Sequence, residues 1–211
     1  MGIGIGVQGE TKGSGFNSFG VWALASTSSS GTPLKVTQSG SGDEIAIFQA
    51  QNVNVARIDK TGKGFFNGGT QTGGADIAEA FEVEGSILNY EPGDVLIISQ
   101  KSNRTVELSS KPYSKLVAGV YATKPGVLLT EKNINTEDFD HVPMGVIGVL
   151  PTKVTTENGS INRGDLLVTS SMPGYAMKGT DHELMFGAVI GKALENFNGF
   201  TGVIKVLVNV K

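Results

Sequence analysis

The sequence predicts an all-β protein with very little helix: a Gly-rich, interwound β shaft followed by a compact β-barrel or sandwich-like head. Three observations predict it. Beyond Gly73, short runs of Val, Ile and Leu recur between turn residues. Ahead of it Gly, Ser, Thr, Asn and Gln dominate, and 16 of the 30 glycines precede Ala75. Segments with the 3.6-residue period of an amphipathic helix are scarce throughout.

The first region, residues 1–74, holds β-like words between Gly-containing turns. Ile45-Ala46-Ile47-Phe48 and Val53-Asn54-Val55-Ala56-Arg57-Ile58 have the length and β-branched content of strands, and Asp59-Lys60-Thr61-Gly62 follows the second as a polar turn. Each word offers two or three apolar side chains, too few for an independent core against the entropy of ordering the backbone. Two readings of this arm stay open. One is a flexible low-complexity segment. The other is that arms from several chains interwind and complete one another's core, which suits the six large aromatics Phe16, Phe19, Trp22, Phe48, Phe65 and Phe66.

In the second region, residues 75–211, strands are expected over Phe81-Val83, Val95-Ile98, Leu116-Tyr121, Val127-Leu129, Met144-Leu150, Leu166-Val168 and Ala188-Ile190. The last run, Val203-Val210, places Ile204, Val206, Val208 and Val210 on one face and reads as a half-buried strand. An internal echo links two of these strands. Glu91-Pro92-Gly93-Asp94-Val95-Leu96-Ile97 and Asn162-Arg163-Gly164-Asp165-Leu166-Leu167-Val168 both run from a turn residue through Gly-Asp into an apolar strand, as two related hairpin entries of a closed sheet would. Two short helical pieces are expected: one opened by the capping box Thr180-Asp181-His182-Glu183 and ended by Gly187, and a single turn over Asp76-Phe81.

Composition excludes several classes of function. Seventeen basic against twenty acidic residues, with no Lys/Arg stripe, argue against nucleic acid as a partner. Cysteine is absent, which removes disulfides, thiolate nucleophiles and Cys-built metal sites. The apolar run Val142-Leu150 is about half the length of a membrane-spanning helix, so membrane insertion is not expected. His141 and His182 lie far apart with no third ligand pattern, and neither a metal nor a cofactor is expected.

The remaining motifs have plain explanations. Gly4-Ile5-Gly6-Val7-Gln8-Gly9 matches G-x-G-x-x-G but lacks the strand and helix that would bring a helix N-terminus to a pyrophosphate. Arg163-Gly164-Asp165 is accounted for by the Gly-Asp echo. Ser170 and Ser171 with Lys178 and Lys192 raise a Ser-Lys hydrolase, but turn-forming residues around them favour a loop. The carboxylates at the boundary carry more chemistry. If Asp76-Phe81 forms a helical turn, Asp76 and Glu79 share a face and could split their pKa values into an acid and a base. The alternative is a solvated turn capped by Asp76.

Gly73-Gly74-Ala75-Asp76-Ile77-Ala78-Glu79-Ala80-Phe81-Glu82, followed by Glu91-Pro92-Gly93-Asp94, resembles the G-A-D-Y-A-E-x-F-E block and succeeding Gly-Asp strand of the C-terminal domains of phage tailspikes and neck appendages, the peptidase G2 or intramolecular chaperone autoproteolytic type. Lys124-Pro125-Gly126, Gly164-Ser170, Pro173-Lys178 and Gly191-Leu194 extend the resemblance over roughly residues 73–211. It implies a homotrimer with interwound shaft strands and a β-rich head that aligns the three chains. In cleaving relatives the head then cuts itself off just ahead of the Asp of this block. Carried over, the scissile bond is Ala75-Asp76, with Asp76 and Glu79 as catalytic acid and base. Ala75 has no hydroxyl, so an N-to-O acyl shift through it is impossible and only carboxylate-assisted hydrolysis remains.

These residues set the expectation of a non-enzymatic structural component of a phage tail or phage-derived contractile injection particle, a trimeric fibre or appendage with a permanent head hinged at Gly73-Gly85. Its partners would be its own copies, other tail, baseplate or particle proteins, and a cell-surface receptor. Its place would be a phage virion or phage-like particle assembled in the bacterial cytoplasm. Two alternatives stand beside it: a self-cleaving intramolecular chaperone cut at Ala75-Asp76, and a freestanding glycan-binding adhesin module stacking sugars on Tyr90, Tyr113, Tyr121 and Tyr175.

Overall fold

Thirteen strands and a single 3-10 turn, Ile87–Asn89, make up the regular structure of residues 32–70, 73–130 and 141–210, which are the residues described by the computed structural model. The Gly4-Gly9 motif and the aromatics Phe16, Phe19 and Trp22 lie outside them. Among the described residues no helix is long and apolar enough to cross a membrane. The fold is all-β, and the chain divides into two units after Thr70.

In the first unit β1 (Glu44–Ala50), β2 (Val53–Asp59) and β3 (Gly64–Phe66) form an antiparallel meander. Gln51 and Asn52, with φ of 49° and 64°, make the two-residue turn whose left-handed backbone matches the twist of a hairpin. At the next turn the Asp59 carboxylate accepts the N–H groups of Thr61 and Lys63 and the Thr61 hydroxyl. These bonds draw its pKa down. Arg57 lies 3.6 Å over the Phe65 ring. No residue of the three strands is buried.

The second unit is a ten-stranded sheet that closes on itself twice. Its strands are β4 (Asp76–Val83), β5 (Val95–Ile98), β6 (Thr105–Leu108), β7 (Val117–Tyr121), β8 (Val127–Leu129), β9 (His141–Thr155), β10 (Leu166–Thr169), β11 (Ala176–Lys178), β12 (Val189–Ala193) and β13 (Thr201–Asn209). One ring runs β4, β6, β5, β7, β9 and back to β4; the other runs β9, β11, β10, β12, β13 and back to β9. The long strand β9 belongs to both. Its first half pairs with β4 and β7, and its second half with β11 and β13.

The two rings repeat one another strand for strand. β4 runs parallel to β6 as β9 does to β11, and β5 lies antiparallel between β6 and β7 as β10 does between β11 and β12. The Gly-Asp echo is the sequence trace of this repeat. Gly93 and Gly164 take φ of 95° and 89°, which only glycine adopts without strain, at the third position of matching four-residue turns. Asp94 and Asp165 each return a carboxylate oxygen to the N–H three residues back, at 2.7 Å from Glu91 N and Asn162 N. The register shift after Leu96 recurs after Leu167, and the strands that face them place Gly119 and Gly191 opposite those leucines. A Cβ on Gly119 would stand 2.5 Å from the Gly145 carbonyl oxygen, and one on Gly191 would collide with that of Leu207.

Side chains from all five strands fill the first ring, with Leu96, Val106, Val142 and Met144 at the centre and Phe81, Val83, Leu108, Ala118 and Val146 around them. A larger core joins the opposite faces of β5 and β7, through Val95, Ile97, Val117 and Val120, to Leu150, Leu167, Ile190, Ile204, Val206 and Val208 of the second ring. Ile204, Val206 and Val208 point inward on β13 while the residues between them are exposed, as the alternation predicts.

The helical expectations do not hold. Asp76-Phe81 is strand, because these residues bond antiparallel to β9 and parallel to β8, and the ladder satisfies backbone groups that one isolated turn would leave open. Residues 182–188 form successive turns without an α-helix. Asp181, one residue beyond Thr180, is the cap, accepting the N–H groups of Glu183 and Leu184. Met185 and Ala188 of this segment then cover Val168 and Met177.

The two Gly-Asp turns predict unequal costs for one substitution. Asp94 is buried and holds Lys153 at 2.8 Å, whereas Asp165 is partly exposed and holds Lys178 at 2.9 Å. Urea unfolding is expected to show Asp94→Ala losing about 3 kcal/mol, because the half-buried Lys153 keeps only the exposed Glu91 carboxylate and the Glu91 N–H loses its acceptor, and Asp165→Ala about 1 kcal/mol.

Candidate site at the Ala75-Asp76 junction

The chain enters the second unit through a narrow passage. Gly74 lies against the backbone of Lys124-Pro125-Gly126, where a Cβ would come within 2.6 Å of the Lys124 carbonyl oxygen. The Gly126 N–H donates to the Asp76 carbonyl at 2.9 Å, and the Val149 N–H donates to the Ala75 carbonyl at 3.3 Å. From β9, Gly148 presses against the same bond. Its φ is 130°, and a Cβ there would sit 2.5 Å from both the Ala75 carbonyl oxygen and the Asp76 Cα. The Ala75-Asp76 peptide is therefore held on both sides as the first rung of β4.

Asp76 is 9% exposed, and its Oδ2 has no hydrogen-bond partner. Burial disfavours the charged carboxylate and raises its pKa above the ordinary range, outweighing the opposing effect of its own backbone N–H. Glu79 meets a different environment. Its carboxylate accepts from the Arg104 guanidinium at 3.1 Å. Arg104, with a left-handed φ of 55°, also lies 5.9 Å from the Phe81 ring at the mouth of the first ring.

Strand geometry separates the two carboxylates. Positions three apart on a strand point to opposite faces. Asp76 shares a face with Ala78, which packs into the larger core, while Glu79 shares one with Phe81 and Val83 of the smaller core. The shared-face dyad expected from a helical turn is not assembled within β4. What the junction supplies is a single buried acid beside the Ala75-Asp76 bond. Gly148 and Arg104 complete its setting. An isolated glycine inside an apolar strand signals a close backbone approach, so Gly148 was within reach of sequence reasoning. Arg104 in a polar turn gave no signal.

The other candidate residues serve the fold. The hydroxyl of Ser170 donates to the carbonyls of Met172 and Tyr175, and Lys178 is engaged by Asp165. Arg163-Gly164-Asp165 is the second Gly-Asp turn; burial raises the Asp165 pKa, but the Asn162 N–H and Lys178 overcome it and leave the net shift downward. His141 comes within 3.9 Å of Glu82. Among the described residues no three His, Asp or Glu side chains gather as metal ligands. Tyr90 is buried, donating to the Glu84 carbonyl at 2.8 Å. The Tyr113 hydroxyl oxygen accepts from Thr180 N, Asp181 N and Asn158 Nδ2, which ties it into a turn. Two of the four tyrosines offered for sugar stacking are thus occupied.

No protein-family model and no curated protein matches this chain in sequence. In fold it is similar to the crystal structure of the pre-mature bacteriophage phi29 gene product 12, with a TM-score of 0.53 and 15% identity over 75% of this chain. The aligned part covers 24% of that protein, so this chain spans about a quarter of its length. At this identity the likeness is one of fold.

Proposed function

We propose that the chain is a structural component of a phage tail or phage-derived contractile injection particle, a homotrimeric fibre or appendage whose first region assembles with its copies and whose head is retained. The observation that carries this reading is the coreless sheet β1–β3. It leaves Ile47, Phe48, Val53, Val55 and Phe66 exposed and buries no residue of its strands. Ordering such a segment costs about 1–2 kcal/mol per residue in backbone entropy, and an isolated small sheet with both faces in water has no burial to offset it. Packing against identical copies around a symmetry axis supplies that burial. The fold shared with a phage gene product supports the particle context. Other tail or baseplate proteins and a cell-surface receptor would be the further partners.

The second reading, self-cleavage at Ala75-Asp76, draws support from the buried Asp76, whose raised pKa suits a proton donor. Against it stand the missing hydroxyl at Ala75, the opposite orientation of Glu79 and its pairing with Arg104. We infer that the head stays attached.

Three measurements test these readings. Light scattering of the full chain at micromolar concentration is expected to give a trimer, and Phe48→Ser combined with Phe66→Ser to raise the concentration at which it dissociates by at least roughly tenfold; a stable monomer overturns the assembly reading. Intact-mass spectrometry is expected to find one full-length species, whereas fragments ending at Ala75 and beginning at Asp76 would establish cleavage. The pH dependence of Asp76 has a definite sign. With its folded pKa above the unfolded one, the acid favours the fold in its protonated form, and that advantage is lost as pH rises through the folded pKa. In thermal melts Asp76→Asn is therefore expected to stabilise the chain at about pH 8 and to change little at about pH 4.

A further inference from the structure

The strand register aligns a row of apolar side chains on the outside of the head. Ile77 of β4 stands opposite Ile147 of β9 on one side and Val127 of β8 on the other. Leu129 follows two residues along β8, and Leu207 of β13 stands one outward position from Ile147 along the β9–β13 ladder. These five side chains remain between 40% and 51% exposed, and Leu128, on the other face of β8, is exposed as well. Among the described strands β8 pairs with β4 alone, and all three of its residues are exposed on both of its faces. A short apolar edge strand left in this way is a surface that seeks partners.

The size of the row matches an interface. Its exposed area is on the order of 400 Å² per copy, close to the apolar share, roughly 450 Å², of a stable interface of ~800 Å² per partner. Its charges lie at the ends. Glu79, opposite Leu129, is neutralised by Arg104, and Lys192, opposite Leu207, marks the far limit. An uncharged centre with polar ends lets two copies meet without facing like charges.

We propose that this row is the face through which the heads of neighbouring copies of this chain pack. The proposal rests on the oligomeric reading above and adds a contact surface separate from β1–β3. Around a three-fold axis the contact is heterologous, with the β8 edge of one head against the Ile77–Ile147 row of the next.

The test is sedimentation of the full chain over a dilution series, for wild type, Ile77→Lys/Ile147→Lys and Leu129→Glu, each with a thermal melt. All three substituted positions point outward and leave the core residues Ala78 and Leu150 untouched. Both variants are expected to dissociate at a concentration at least roughly tenfold higher than wild type, with the head's melting unchanged. An unchanged dissociation midpoint in both variants overturns the head face while leaving oligomerisation by the first unit intact. An unchanged midpoint with lowered melting also overturns it, since the row is then covered by residues of its own chain. A wild type that is monomeric at every concentration overturns the oligomeric reading and this proposal together.

Discussion

Everything in the head depends on one strand's hydrogen bonds being used twice. Over its fifteen residues β9 closes the first ring with its opening half and the second ring with its remainder. The change of partner happens where the ladder to β4 slips by one residue, between the pairs Ile77–Ile147 and Ala78–Gly145. Such a bulge bends and twists a strand. Glycines make it feasible: at Gly145 a Cβ would run into the Leu150 side chain, and at Gly148 into the backbone of Ala75 and Asp76.

That crossing also explains the junction. Asp76 is buried because it begins β4 at the point where β9 leaves one ring for the other, with Gly148 directly opposite. Its unpartnered oxygen opposes stability at neutral pH, and the surrounding architecture tolerates it. The same crossing brings Ile77 and Ile147 together on the outside, so one packing event creates both a buried acid and an apolar outer row.

The two units solve the entropy problem differently. The head buries side chains inside closed rings and needs no other chain for its core. The described strands of the first unit have a well-formed hairpin turn and a capped polar turn, yet bury no residue. Local turn chemistry sets its strand register.

Much of this was legible in order of sequence. Apolar runs marked β5, β7, β8, β10 and β13, since a run of three to eight β-branched or Leu residues between turns has few other uses. The Gly-Asp echo exposed the internal repeat, because a left-handed turn position demands glycine wherever it recurs. β3, β6 and β11 escaped, being three or four residues long and held by neighbours rather than by their own pattern. The extent of β9 was hidden by Pro143, Gly145 and Gly148, which read as breakers until the crossing requires them. By itself the sequence determined the all-β class, the turn positions and the acid at Asp76, which are local matters of side-chain period and backbone freedom. Only the tertiary structure decided that Asp76 is buried, that Glu79 points away to Arg104 and that β9 serves two rings, because burial and pairing depend on residues distant in the chain.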